Sequence, residues 1–185
     1  GMHYGQLAQS GAGLMIVEAT AVQANGRISW ADTGLWDADC QAAWQPVLAG
    51  IRQWSAMPLG IQLAHAGRKA SCDVPWQGGA PLAPEDPRSW QTVSASGQPY
   101  AAHERAPQAL DPAGIAALVD DFVRAALRAQ ALGFELIEIH AAHGYLLHQF
   151  LTPLVNTRTD GWGGSEEGRN RLTLEVIDAV RAVMP

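Results

Sequence analysis

His140 and His143 stand three residues apart in the run His140-Ala141-Ala142-His143-Gly144-Tyr145, and Tyr145 follows at once. Two imidazoles across a short turn can aim N–H donors at one point and hold an oxygen that gains negative charge during a reaction. A tyrosine on the same rim, with an ordinary pKa of about 10, can supply a proton. The same pair can also ligate a metal with help from Glu138 or His65. A third reading makes His140 a structural histidine bonded to backbone. On spacing alone the three readings stay open.

The elements around this run must set its geometry. Three short segments rich in branched aliphatics read as buried parallel strands: residues 13–19, 58–64 and 134–140. His140 then sits where the third strand ends, and residues 141–145 form the loop in which α/β barrels hold catalytic groups. Helical patterns lie between the strands. One covers about residues 41–54. Another opens at Asp111-Pro112, an N-cap followed by proline, and is stopped by Gly133. A third opens at Ser165 and runs through Leu172, Leu174, Val176, Ile177 and Val180. Strand alternating with helix predicts right-handed βαβ units on a parallel sheet. Residues 70–108, rich in Pro, Gly and Ser, read as a long insertion after the second strand, with a short hairpin as a candidate near Gln91–Val93 and Tyr100.

Glu18, Gln62 and Glu138 fall among the apolar residues of the three strands. Alternation puts Met15, Val17, Ile61, Leu63, Ile137 and Ile139 on the helix side, so the three polar residues face the inside of a barrel. There they are expected to form a buried, hydrogen-bonded layer.

The bulk numbers narrow the class. A net charge of −6 over 185 residues argues against a nucleic-acid partner. Cys40 and Cys72 match no metal or redox spacing and read as reduced cytoplasmic thiols. No apolar run reaches the ~18 residues that span a bilayer, so no membrane association is expected. The start, Gly1-Met2-His3-Tyr4, lacks the charged and apolar regions of a signal peptide.

The stretch from His140 to Leu151, with Pro153, Asn156, Arg158, Asp160, Gly163-Gly164-Ser165 and Arg169, resembles the Old Yellow Enzyme family of FMN oxidoreductases. Residues 60–70 (GIQLAHAGRKA) and residues 11–22, followed by Gly26-Arg27, are similar to its branch of bacterial NADPH dehydrogenases and xenobiotic reductases. The resemblance covers essentially the whole chain. It implies an eight-stranded (β/α) barrel, of which residues 1–185 would be one fragment holding about strands two to four. It implies FMN, with NADPH or NADH as reductant and an enone or enal as substrate. His140 and His143 would bind the substrate carbonyl, with His140 also beside the flavin. Tyr145 would give the proton, Gln62 would bond the flavin pyrimidine edge, and the backbone of Ala19 and Thr20 would lie against the ring. Within the stretch after Gln62, Arg68 is a further site candidate. Arg158, Asp160 and Arg169 are expected to pair with one another. Trp30 and Trp36 are candidates for the substrate side, with packing as the other reading. His148 and Gln149 are expected to be solvated.

Members of that family are about twice as long. The first strand and the last strands, which grip the flavin phosphate, have no counterpart in these residues. The fragment alone is therefore expected to bind FMN weakly and to be inactive, with a non-catalytic remnant that only folds and oligomerises as the alternative. Open sheet edges predict a homo-oligomer.

Overall fold

The computed structural model describes residues 2–184. In chain order the elements are α1 (Met2–Ala8), β1 (Met15–Ala21), α2 (Ala38–Arg52), β2 (Leu59–Ala64), β3 (Val93–Ser94), β4 (Gln108–Ala109), α3 (Pro112–Ala131), β5 (Leu136–Ile139), α4 (Leu146–Leu151) and α5 (Glu166–Val183). β1, β2 and β5 form a parallel sheet in the order β1-β2-β5. The α/β class and the three expected strands are present, each within two residues of its expected bounds.

Local chemistry explains the helix ends. The Asp111 carboxylate accepts from Gly114 N at 2.7 Å, Pro112 occupies the first turn, and Gly133 leaves the helix at φ 84°. Ser165 caps α5 by accepting from Gly168 N at 3.0 Å. The α3 face made by Ile115, Leu118, Phe122, Ala125, Ala126 and Ala129 is buried against α5 and β2. Phe122, Phe150, Ile61 and Leu63 lie at the centre of this core. On α5, Leu172, Val176 and Val180 are buried, but Leu174 and Ile177 face outward. The inward stripe of α5 is thus narrow, as suits a helix that packs on one side only.

Two further expectations need correcting. Residues 91–100 form no hairpin: Val93 and Ser94 pair in parallel with Gln108 and Ala109. The partner lies across a crossover with no turn signal, so local sequence could not indicate it. The polar layer is also not buried. Glu18 and Glu138 are exposed and Gln62 is half-buried, because three strands bend but do not enclose an interior. The side chains do share one face and do bond. Gln62 Nε2 donates to Glu138 Oε1 at 2.6 Å, and the hydroxyl of Tyr4, on the unforeseen α1, donates to the Glu18 carboxylate at 2.8 Å. Among the described residues no helix is long and apolar enough to cross a membrane.

Candidate active site

The tip of β5 continues the ladder by one bond, from His140 N to Leu63 O at 3.0 Å. The chain then turns sharply. His143 at φ 57° and Gly144 at φ 75° are consecutive left-handed residues, and Tyr145 N closes the turn on Ala142 O at 3.1 Å. This turn stacks three rings. The His140 and His143 centroids are 5.1 Å apart and nearly perpendicular, and His140 meets Tyr145 edge to face at 4.9 Å.

The hydrogen bonds assign the protons. His140 Nδ1 accepts from Ala142 N at 3.2 Å, so the neutral ring carries its proton on Nε2, which is left as a donor. Burial holds the His140 pKa below the usual imidazole value. The neighbouring His143 pushes the same way, while Glu138 opposes. Tyr145 is half-buried, and burial, then Asp32 and Cys72, raise its pKa above the ordinary phenol value expected from sequence. Tyr145 therefore keeps its proton at neutral pH.

Three residues hold this turn in place, the first being His148, half-buried rather than solvated, whose Nδ1 accepts from Gly144 N at 2.7 Å. Lys69 Nζ donates to His143 O at 3.0 Å and sits over the Tyr145 ring at 4.9 Å. Gln149, expected in solvent, is fully buried. Its amide nitrogen donates to Gly144 O at 2.7 Å and Ala66 O at 3.2 Å, and its oxygen accepts from Arg68 N. It thereby ties the loop after β2 to the loop after β5. The signal for it was a polar residue inside the apolar run Leu146, Leu147 and Phe150. Gly67 lies so close that an added Cβ would stand 2.3 Å from Gln149 Oε1, at a φ of 62°. Gly67→Ala is expected to cost roughly 3 kcal/mol of stability, from left-handed strain plus the displaced amide, measurable by urea unfolding.

His65 is fully buried and structural. Its Nδ1 accepts from Gly67 N, and its Nε2 donates to Gln23 Oε1 at 3.0 Å. Gln23 in turn donates to Asp121 at 2.6 Å. Both ring nitrogens are used, so His65 cannot complete a metal site with His140. Among the described residues no three His, Cys, Asp or Glu side chains group as metal ligands. Arg68 binds the carbonyls of Gln98 and Pro99, bracing the long insertion.

The remaining candidates are dispersed. Trp30, which is exposed, donates to Asp73 at 2.9 Å, and Trp36 lies under the Arg27 guanidinium. Arg158 pairs with Asp160 at 2.6 Å, as expected. Arg169 does not join them; it donates to the carbonyls of Leu151 and Gly164, which lie nearer its helix.

A profile described as the NADH:flavin oxidoreductase / NADH oxidase family matches residues 2–184. The chain belongs to this family. It is 46% identical to the NADH:flavin oxidoreductase FG08077 of Gibberella zeae over 99% of the chain and 45% of that protein. It is 43% identical to an NADPH dehydrogenase of Listeria monocytogenes over 98% of the chain and 48% of that protein. A morphinone reductase structure superposes with a TM-score of 0.82 at 33% identity, covering 98% of the chain and 49% of that structure. The chain thus spans about half the length of the relatives it matches. The family is one of flavin oxidoreductases, and the sheet of this chain corresponds to part of a TIM barrel.

The family's cofactor is FMN, with a nicotinamide reductant, and the inner rim suits a flavin ring. Gln62 has its amide nitrogen fixed by Glu138, while its oxygen has no partner among the described residues. Between Val17 and Thr20 the β1–β2 register slips, so Glu18 and Ala19 lie in a bulge at the rim. The Thr20 hydroxyl is spent on Glu18 O and Thr33, leaving only backbone of this segment for a ligand.

Proposed function

We propose that this chain carries the carbonyl-activating part of an ene-reductase site, where an α,β-unsaturated ketone or aldehyde is reduced at its C=C bond. The observation that carries the reading is the pair of imidazoles on one turn, His140 with its Nε2 proton unspent, beside a protonated tyrosine. FMN, when bound, supplies hydride transfer and is recharged by NADPH or NADH. Gln62 would hold the pyrimidine edge, and the backbone of Ala19 and Thr20 would lie along the ring.

His140 and His143 donate to the substrate carbonyl oxygen. This draws electron density from the alkene and makes the β-carbon the electrophile. Negative charge gathers on that oxygen as the C–H bond forms, and donors held by the turn need little reorganisation to meet it. Tyr145 then delivers its proton toward the α-carbon. The Lys69 ammonium over its ring favours the phenolate left behind.

The chain alone is expected to bind FMN weakly, so NADPH oxidation with 2-cyclohexenone by an FMN-loaded protein that also supplies the rest of the barrel tests the reading. Tyr145→Phe is expected to lower kcat by about 100-fold with KM little changed. NADPH consumption that ignores the enone sinks the proposal. The reading includes a cytoplasmic location, in keeping with free thiols at Cys40 and Cys72. It also includes a homo-oligomer joined at the outer edges of β1 and β5, which pair with no other described strand of that sheet. Sedimentation velocity checks this last point, and a monomer at every concentration would refute it.

A further inference from the structure

We infer that a basic trough beneath the long insertion is a second binding site, which takes an oxyanion (a phosphate monoester or a carboxylate) carried on a flat apolar body. The trough is a cavity of about 400 Å³ whose walls include Arg68, Trp90, His103, Glu104 and Arg105. Its charge runs against the rest of the chain, which is net −6. Two arginines and a histidine line it, and Glu104 is the sole carboxylate among its described lining residues. Arg52, Arg88, Arg124 and Arg158 each have a carboxylate partner. Neither Arg68 nor Arg105 makes a salt bridge within 4 Å among the described residues, although the Arg68 guanidinium lies over the Tyr100 ring and feels the more distant Glu104.

Arg68 carries the argument further. Its Nη1 is spent on the carbonyls of Gln98 and Pro99, while its Nε is buried with no hydrogen-bond partner. Its side chain lines the trough, and Nη2, with no acceptor among the described residues, is the donor left for an anion there. Trp90 supplies an apolar wall, held by its indole N–H bond to Asn25 O at 2.9 Å.

The trough also leads toward the reaction site. A smaller cavity of about 230 Å³ shares Arg68 and Glu104 with it and is lined further along by Lys69 and Tyr100. Lys69 covers the Tyr145 ring. An anion at Arg68 and Arg105 therefore sits beside the turn that bears His143, not on it. Two molecules of the right chemistry come to such a place: a phosphorylated nucleotide and a substrate with a remote acid group.

Isothermal titration of the chain at low salt, with phenyl phosphate, inorganic phosphate and phenol as probes, tests the site without FMN or turnover. Its failure therefore leaves the ene-reductase reading untouched. Phenyl phosphate is expected to bind about tenfold or more tightly than either fragment of it, and Arg105→Gln or Arg68→Met to weaken it by a similar factor. Arg105 is exposed, so its variant reports even where Arg68→Met misfolds. Adenosine 2′,5′-bisphosphate binding more tightly than phenyl phosphate assigns the site to a nucleotide. Tighter binding of 4-carboxybenzylideneacetone assigns it to an acid-bearing substrate. Phenol binding as well as phenyl phosphate, or unchanged affinity in Arg105→Gln, overturns the proposal.

Discussion

His140→Ala in the FMN-loaded protein is expected to lower kcat/KM for an enone by about 10²- to 10³-fold, the usual loss for one oriented oxyanion donor. The size follows from how firmly that donor is prepared. The ring is 7% exposed, its tautomer is set by the Ala142 N–H, and two aromatic edges restrain its plane. His143 lies in solvent on the same turn, so water can replace part of its bond and His143→Ala is expected to lose less. His140→Asn, which keeps an N–H but shortens the reach, should fall between wild type and alanine. The pH profile adds a separate check. Burial lowers the His140 pKa, so the neutral donor form persists at pH 6.5 and the acid limb of kcat/KM lies below that value. A His140→Ala enzyme within about threefold of wild type would remove the oxyanion role altogether.

The second large effect is on stability. His65 is fully buried with its pKa pushed down to about 3, from an ordinary 6.5, chiefly by burial. The unfolded chain binds a proton at this residue as pH falls through 6.5, whereas the folded chain does not until about 3. Unfolding thus takes up a proton across that window, and stability falls as pH falls. The slope is about 1.4 kcal/mol per pH unit from this residue alone, or roughly 5 kcal/mol over the whole window. His140, shifted the same way, adds to the upper part of it. Urea unfolding between pH 6.5 and 4.5 reads these histidines with little carboxylate contribution, since the shifted aspartates and Glu135 have pKa values lowered from already acidic ones. Roughly 3 kcal/mol should be lost over those two units. A flat profile would mean that His65 can charge in the folded state, which the Gly67 N–H on Nδ1 and the Gln23 carbonyl on Nε2 leave no room for.

The misread elements share one cause. The β3–β4 pair joins residues 15 positions apart in parallel (Val93 with Gln108), and no turn residue announces such a pairing. Gln149 looks like any polar helix residue until the loops after β2 and β5 come together around it. Lys69 gains its importance only because His143, 74 positions on, turns its carbonyl toward the ammonium. Arg169 bonds the carbonyl of Leu151, 18 positions earlier, rather than Asp160. Each case rests on a long-range contact that composition and periodicity do not carry.

What the sequence determined by itself was local: apolar alternation in β1, β2 and β5, the caps at Asp111 and Ser165, and the imidazole pair at a strand's tip. Those follow from backbone sterics and from hydrogen bonds made within a few residues. The tertiary fold alone decided which His140 nitrogen bears the proton, why Tyr145 stays protonated, and that His65 is locked away as a neutral support. These depend on desolvation and on partners brought in from other strands, and neither exists until the parallel sheet has assembled.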